Sequence, residues 1–128
     1  MNYATDTHSL VWYFTDDQRL GKRALKAFES TVKAGQIIVP TVVLAEILYI
    51  AKKGRIPLGF AETVARIEAM DNFDIAPLDL DVLRMADGIE ASLEMHDKLI
   101  VATTLCYGVS LITRDEQIVK SKTVKTVW

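Results

Sequence analysis

Short apolar runs alternate along this chain with longer stretches whose apolar positions recur at helical spacing. Brief uninterrupted apolar runs suit strands buried on both faces, and the alternation predicts a parallel sheet between helices. Residues 3–6 read as the first strand, Ile37-Ile38-Val39 as the second, Phe73 to Leu78 as the third and 109–113 as the fourth. Thr123 to Val127 reads as a fifth, shorter strand at an edge. Between them the pattern predicts a short helix over Ser9 to Phe14 and a longer one over Lys22 to Ala34, with Ala24, Leu25, Phe28 and Val32 on one face and Gly35 as its stop. A third helix starts at Pro40-Thr41 and ends at Lys53-Gly54, its terminal lysines suited to the helix dipole. Pro57 to Met70 follows as an amphipathic helix with Phe60, Val64, Ile67 and Met70 inward. Helix resumes from Leu80 to Leu93, breaks near His96, and continues from Asp97 to Tyr107, where Gly108 closes it. No repeat, low-complexity segment or Pro/Gly-rich linker interrupts the series, so 1–128 is expected to be one α/β domain.

Four carboxylates change that picture. The first strand runs into Asp6, and the fourth runs through Thr113-Arg114 into Asp115. Each acid thus stands at or just past the C-terminal end of a strand, the edge where open α/β sheets bind ligands. Glu46 lies inside Val42 to Ala51, a segment otherwise nearly all apolar. A buried carboxylate without a partner is costly, so Glu46 requires a metal, an arginine or a hydrogen-bond network. Asp97 opens the run Leu99-Ile100-Val101-Ala102. The ordinary reading makes Asp6, Asp97 and Asp115 helix caps or first-turn acids. Each cap suffices separately, but three caps and a buried Glu at one sheet edge also describe a site for Mg²⁺ or Mn²⁺, which prefer carboxylate oxygens and water. Thr7, Ser9 and Thr113 stand beside the acids and can orient a carboxylate or water.

Composition narrows the alternatives. Half the residues are hydrophobic and a quarter charged, as in ordinary globular domains. No run reaches the roughly 20 apolar residues needed to span a bilayer, and no secretory signal is visible. The lone Cys106 reads as a small buried hydrophobe in a cytoplasmic protein. A net charge of −2 argues against coating nucleic acid by bulk charge. A nucleic-acid enzyme with an acidic metal site could still have this balance if its cations are grouped locally, at Lys98 and Arg114 beside two of the acids, at Lys52, Lys53 and Arg55, or along Lys120, Lys122 and Lys125. The ordinary reading of such groups is a solvated helix end. His8 and His96 are the only histidines, and no His/Cys spacing suggests zinc. Phosphate-binding glycine loops and the serine-hydrolase elbow are absent. Trp12, Tyr13 and Phe14 read as core or interface, not as a platform for stacking bases. Ser9 to Phe14 and Val42 to Ile50 are rich in large apolar residues, some of which a partner is expected to cover.

The blocks TDTHSLVWYFTDDQRLGKRALKAFE, VPTVVLAEILYIAKKGRI and MHDKLIVATTLCYGVSLITRDEQI resemble the successive signatures of PIN-domain proteins, and within them the VapC-type toxins of type II toxin–antitoxin systems. The resemblance spans essentially the whole chain. It implies a three-layer α/β/α fold with a central, mostly parallel sheet of about five short strands. It implies a Mg²⁺- or Mn²⁺-dependent ribonuclease that cleaves single-stranded or structured RNA by attack of activated water on a phosphodiester. Asp6, Glu46, Asp97 and Asp115 fall on the family's acidic quartet, and Thr113 falls where a Ser or Thr often supports the last acid. Glu94 takes the place of an accessory Asp, and Glu94-Met95-His96 departs from the common Asp-Pro-Phe form. A cognate antitoxin whose tail covers the site, and a homodimer, are also implied. Two other readings compete: a catalytically idle PIN-like module that acts by binding, separable by metal titration, and a receiver-like phosphoacceptor domain. The second wants an acidic pair after the first strand and an Asp after a central one, whereas Ile37-Ile38-Val39 ends in Pro40-Thr41.

Overall fold

The computed structural model describes all residues, 1–128. Its elements run β1 (Tyr3–Thr5), α1 (Thr7–Phe14), α2 (Lys22–Ala34), β2 (Ile37–Pro40), α3 (Thr41–Lys52), α4 (Phe60–Glu68), β3 (Phe73–Ala76), α5 (Leu80–Asp87), α6 (Met95–Tyr107), β4 (Ser110–Ile112), α7 (Glu116–Ser121) and β5 (Thr126–Val127). The five strands form one sheet in the order β3-β2-β1-β4-β5, and every pairing is parallel. The helices cover the sheet in the three-layer α/β/α arrangement expected. β1 lies at the centre. The chain steps outward from it through β2 and β3, then returns to its other side with β4 and β5. Strand order therefore reverses between β1 and β4, and the crevice at that reversal is where ligands bind such sheets.

The strands are short because each is buried and soon broken. β2 is buried along its whole length, and all of β1's core-facing side chains are covered. β3 stops at Ala76 and not at Leu78, because Pro77 has no N–H to extend the ladder. The Ala76 carbonyl instead accepts the Thr41 hydroxyl at 2.6 Å. A single apolar cluster fills both layers, built on Phe28, Leu10, Ile37, Ile47, Ile100, Leu111 and Ile112. No buried side-chain polar atom lacks a partner: Thr31, for example, donates to the Phe28 carbonyl at 2.8 Å and accepts from Asn72 at 2.9 Å.

Several sequence expectations shift. The buried face of α2 is Ala24, Ala27, Phe28 and Thr31, while Leu25 and Val32 are exposed. Thr31 goes inward because Asn72 is there to satisfy it. α4 starts at Phe60 and not at Pro57, since Leu58 is pinned in the core and Gly59 holds extended backbone ahead of the first turn. Its inward residues are Thr63 and Ile67, which leaves Phe60 exposed. α5 ends at Asp87, and residues 88–94 form an irregular segment before α6 begins two residues ahead of Asp97. Gly108 caps α6 in the left-handed region at φ 63°, as a closing glycine should. Cys106, in the last turn of α6, is exposed and not buried, its thiol 3.9 Å from the Asp81 carbonyl. α1 covers its own apolar side chains: Leu10, Val11 and Trp12 are buried, and the Tyr13 ring stacks on Phe28 at 4.3 Å. On α3, by contrast, Leu48 and Tyr49 stay exposed.

Candidate metal centre

Asp6 leaves the end of β1 as the N-cap of α1. One carboxylate oxygen accepts the Ser9 N–H at 3.0 Å, and the other accepts the Thr113 hydroxyl from just beyond β4. Thr113 also receives the Asp115 N–H at 3.0 Å, so one threonine ties together the acids that follow two adjacent strands. Asp115 caps α7 by accepting the Ile118 N–H at 3.0 Å. The register of β1 on β4, Thr5 opposite Ile112, sets these two strand ends side by side.

The other two acids arrive on helices. Glu46 is in the second turn of α3, and Asp97 is in the first turn of α6. Glu46 is partly covered, not fully buried, and its partners are Thr7 and His96. The Thr7 hydroxyl donates to one carboxylate oxygen, and the His96 Nε2 lies 3.3 Å from the other. The same Nε2 lies 3.5 Å from Asp97, while Nδ1 lies 3.9 Å from Glu94. All four acids, with Thr7, His8, Glu94, His96 and Gln117, line one cleft of about 560 Å³. Ser92 and Leu93, from the irregular segment ahead of α6, complete its wall.

The electrostatics match a site short of positive charge. Asp97 is pushed up from 3.8 to about 6, chiefly by burial, with Asp115, Glu46 and Glu94 adding repulsion and His96 opposing it. Burial also raises Asp6, against the hydrogen bonds from Ser9 and Thr113 that favour its charged form. The donor set fits a hard or borderline divalent ion. The one group of three whose ligand atoms all lie within 4.8 Å of one another is Glu94, His96 and Asp97; Asp6, Glu46 and Asp115 line the same cleft outside that group.

The expected RNA-binding cations are placed less uniformly. Lys52 and Lys53 end α3 outside the cleft wall, and the Lys53 amine bonds the Tyr49 hydroxyl at 2.7 Å. The Lys98 amine reaches the Ile89 carbonyl at 3.4 Å. Arg114 lines a second cavity beside the cleft, together with Asp6 and Asp115. His96 is the residue that sequence reasoning undervalued; its one signal was adjacency to Asp97, which a surface histidine shares.

Comparison with known proteins follows the same geometry. The family model described as "PIN domain" matches residues 3–122. VapBC2 from Rickettsia felis, solved bound to a promoter DNA fragment, superposes with a TM-score of 0.72 at 14% identity, covering 98% of this chain and 97% of its own. A toxin–antitoxin complex from Klebsiella pneumoniae gives 0.70 at 22% identity, covering 98% and 96%. Mycobacterium tuberculosis VapC20, described as a sarcin-ricin loop cleaving toxin, gives 0.67 at 15% identity over 100% of both chains. At these identities the likeness speaks for the fold. No curated protein matches.

Proposed function

The chain belongs to the PIN-domain family, and we propose that it is a metal-dependent ribonuclease acting as the toxin of a toxin–antitoxin pair. One observation carries the reading: four acids from four separate elements line one cleft at the reversal point of the sheet, where Asp97 is raised to about 6, chiefly by burial, with the neighbouring acids adding to the rise. Carboxylates packed this way repel one another unless a cation offsets them. Asp6, Asp97, Asp115 and Glu46 would hold Mg²⁺ or Mn²⁺. Such an ion supplies a bound water of lowered pKa and neutralises charge on a phosphoryl oxygen. The protein's own part is positional. Thr113 fixes Asp6 and the backbone of Asp115, and Thr7 fixes Glu46. Glu94, at the open rim, is placed to accept from water or substrate. The substrate is an RNA phosphodiester, and Arg114 is the best-placed of the expected cations.

Support for the partner comes from the solved neighbours, several of which are toxin–antitoxin complexes. An antitoxin segment over the cleft, a homodimer and a cytoplasmic location complete the proposal. No helix of the protein is long and apolar enough to cross a membrane. The test is incubation of purified protein with single-stranded and structured RNA in Mg²⁺, Mn²⁺ or chelator, beside Glu46→Gln. Metal-dependent cleavage that Glu46→Gln reduces at least 100-fold is expected. Calorimetry showing no divalent-ion binding would reject it in favour of a module that acts by binding alone.

A further inference from the structure

Beside the carboxylate cleft lies a second cavity of about 360 Å³ that shares Asp6, His8 and Asp115 with it. Its other wall is made of Ser9, two arginines and two tryptophans. The Arg114 guanidinium sits 4.5 Å from the Trp12 ring centre and 5.8 Å from that of Trp128. The Arg19 guanidinium sits 4.8 Å from the same Trp12 ring. The indoles meet edge to face at 5.8 Å. Gly21 makes room for this packing, since a Cβ there would meet Trp128 at 2.7 Å.

The two cations differ in how they are held. Arg19 is forked to Asp17, Nε to Oδ1 at 3.1 Å and a terminal nitrogen to Oδ2 at 2.8 Å. Arg114 has no carboxylate within salt-bridge distance; it packs on the indole faces and interacts with Asp17 only through space. A planar guanidinium stacked in place, with no carboxylate bonded to its donors, presents a fixed fork of donors to an anion. The carboxylates on the shared wall would oppose an isolated anion, but not one belonging to a strand whose neighbouring phosphate is held by cation-loaded acids.

The geometry points to a phosphate seat for single-stranded RNA in the Arg19–Arg114–Trp12–Trp128 cavity, holding a phosphate next to the one at the carboxylate cleft. The inference rests on the ribonuclease reading and assigns that reading a substrate path. Continuity with the cleft favours a polynucleotide, whose successive phosphates can fill both spaces, over an acidic protein segment. Arg19 and Arg114 are binding residues here, and the indoles are their backing.

Trp12 and Trp128 are the only tryptophans in the chain, so indole emission reports on this cavity alone. A short oligoribonucleotide is titrated in Ca²⁺, which loads carboxylates but hydrolyses poorly, while the anisotropy of a dye on the RNA is followed in parallel. Wild-type emission should change in step with RNA binding. Arg19→Gln/Arg114→Gln should bind at least tenfold more weakly, with a salt slope shallower by about 0.7 for each phosphate no longer neutralised. Arg114→Lys, which keeps charge but not the fork, should fall between. Circular dichroism checks that each variant is folded. RNA binding with silent indoles, or a folded double variant with unchanged affinity and salt slope, overturns the seat. So does an acidic peptide that changes the emission when RNA does not. Cleavage in Mg²⁺ by the same wild-type sample separates the two claims: cleavage with silent indoles rejects only the seat, and an RNA-dependent indole signal without cleavage rejects only the reaction.

Discussion

Replacing Asp97 with Asn should make the metal-free protein more stable while removing most of its response to metal. A carboxyl raised from 3.8 to about 6 represents about 3 kcal/mol of unfavourable interaction in the folded state at neutral pH, at about 1.4 kcal/mol per tenfold. Asp97 retains contact with solvent, its side chain 17% exposed beside the open cleft, so screening trims the figure to about 1–2 kcal/mol. Asn keeps the shape and hydrogen-bonding capacity and removes the charge. For a domain of this size that corresponds to a rise in Tm of about 4–8 °C in chelator. With Mn²⁺ at about 100 times Kd the wild type should gain about 2.7 kcal/mol, and the variant should gain well under half of that. Differential scanning calorimetry of both proteins, with and without metal, gives all four numbers. A variant that melts at or below the wild type in chelator, or one that retains the full Mn²⁺ shift, refutes the electrostatic account of the site.

Other outcomes follow from the same geometry. Because the folded-state value of Asp97 is raised, the unfolded chain ionises first: metal-free stability should decline from about pH 4 to about pH 6 and then level off, whereas metal affinity should drop below about pH 6 as protons compete; melting curves and calorimetry across pH 4–8 check both. Thr113→Val removes a hydroxyl donated to a carboxylate, a bond worth about 1.5–3 kcal/mol to the charged form, so Mn²⁺ affinity by calorimetry should fall about 10- to 100-fold with the fold intact. If α3 is the homodimer face, Leu48→Glu should give a folded monomer by light scattering; an unchanged dimer would place the interface elsewhere.

Much of this arrangement was legible in sequence because it is written in local terms. Buried parallel strands leave uninterrupted apolar runs, and Gly108 marks the end of α6. What the sequence hid was decided by partners far along the chain. Leu25 looks as suitable for the core as Phe28, and only Asn72, 41 residues from Thr31, explains why a threonine turns inward and the leucine does not. Cys106 looks buried because its neighbours are apolar, yet it is exposed together with Tyr107 in the last turn of α6. Glu46 was legible as an anomaly and not as a solution: nothing local pairs it with Thr7, 39 residues away. Likewise, Trp12 reads as simple core until Arg19, Arg114 and Trp128 are set around it.

For Asp6 and Asp115, helix capping and metal binding are not competing explanations. Each gives one oxygen to the first turn of a helix, to the Ser9 N–H and the Ile118 N–H, both at 3.0 Å. That bond fixes the side-chain rotamer and points the carboxylate group across the edge of the sheet. A cap therefore does for a ligand what second hydrogen bonds do around any metal: it orients the donor before the ion arrives. The helix dipole also favours the ionised form that an ion needs, against the burial that raises Asp6. Asp97 has no such cap bond; the N-cap of α6 is Glu94, which makes none either. Its basic neighbour is His96, whose Nε2 lies 3.5 Å away. On this reasoning a new cap cannot replace an old one. Ser in place of Asp6 would still cap α1, since serine caps about as well as aspartate, and removing a carboxylate that burial disfavours should leave metal-free folded stability equal to or above that of the wild type. Metal affinity should nevertheless collapse, because the hydroxyl brings no charge. Asp6→Ser therefore separates the two roles within one residue: a large loss of stability with metal affinity retained would mean that Asp6 is a cap and nothing more.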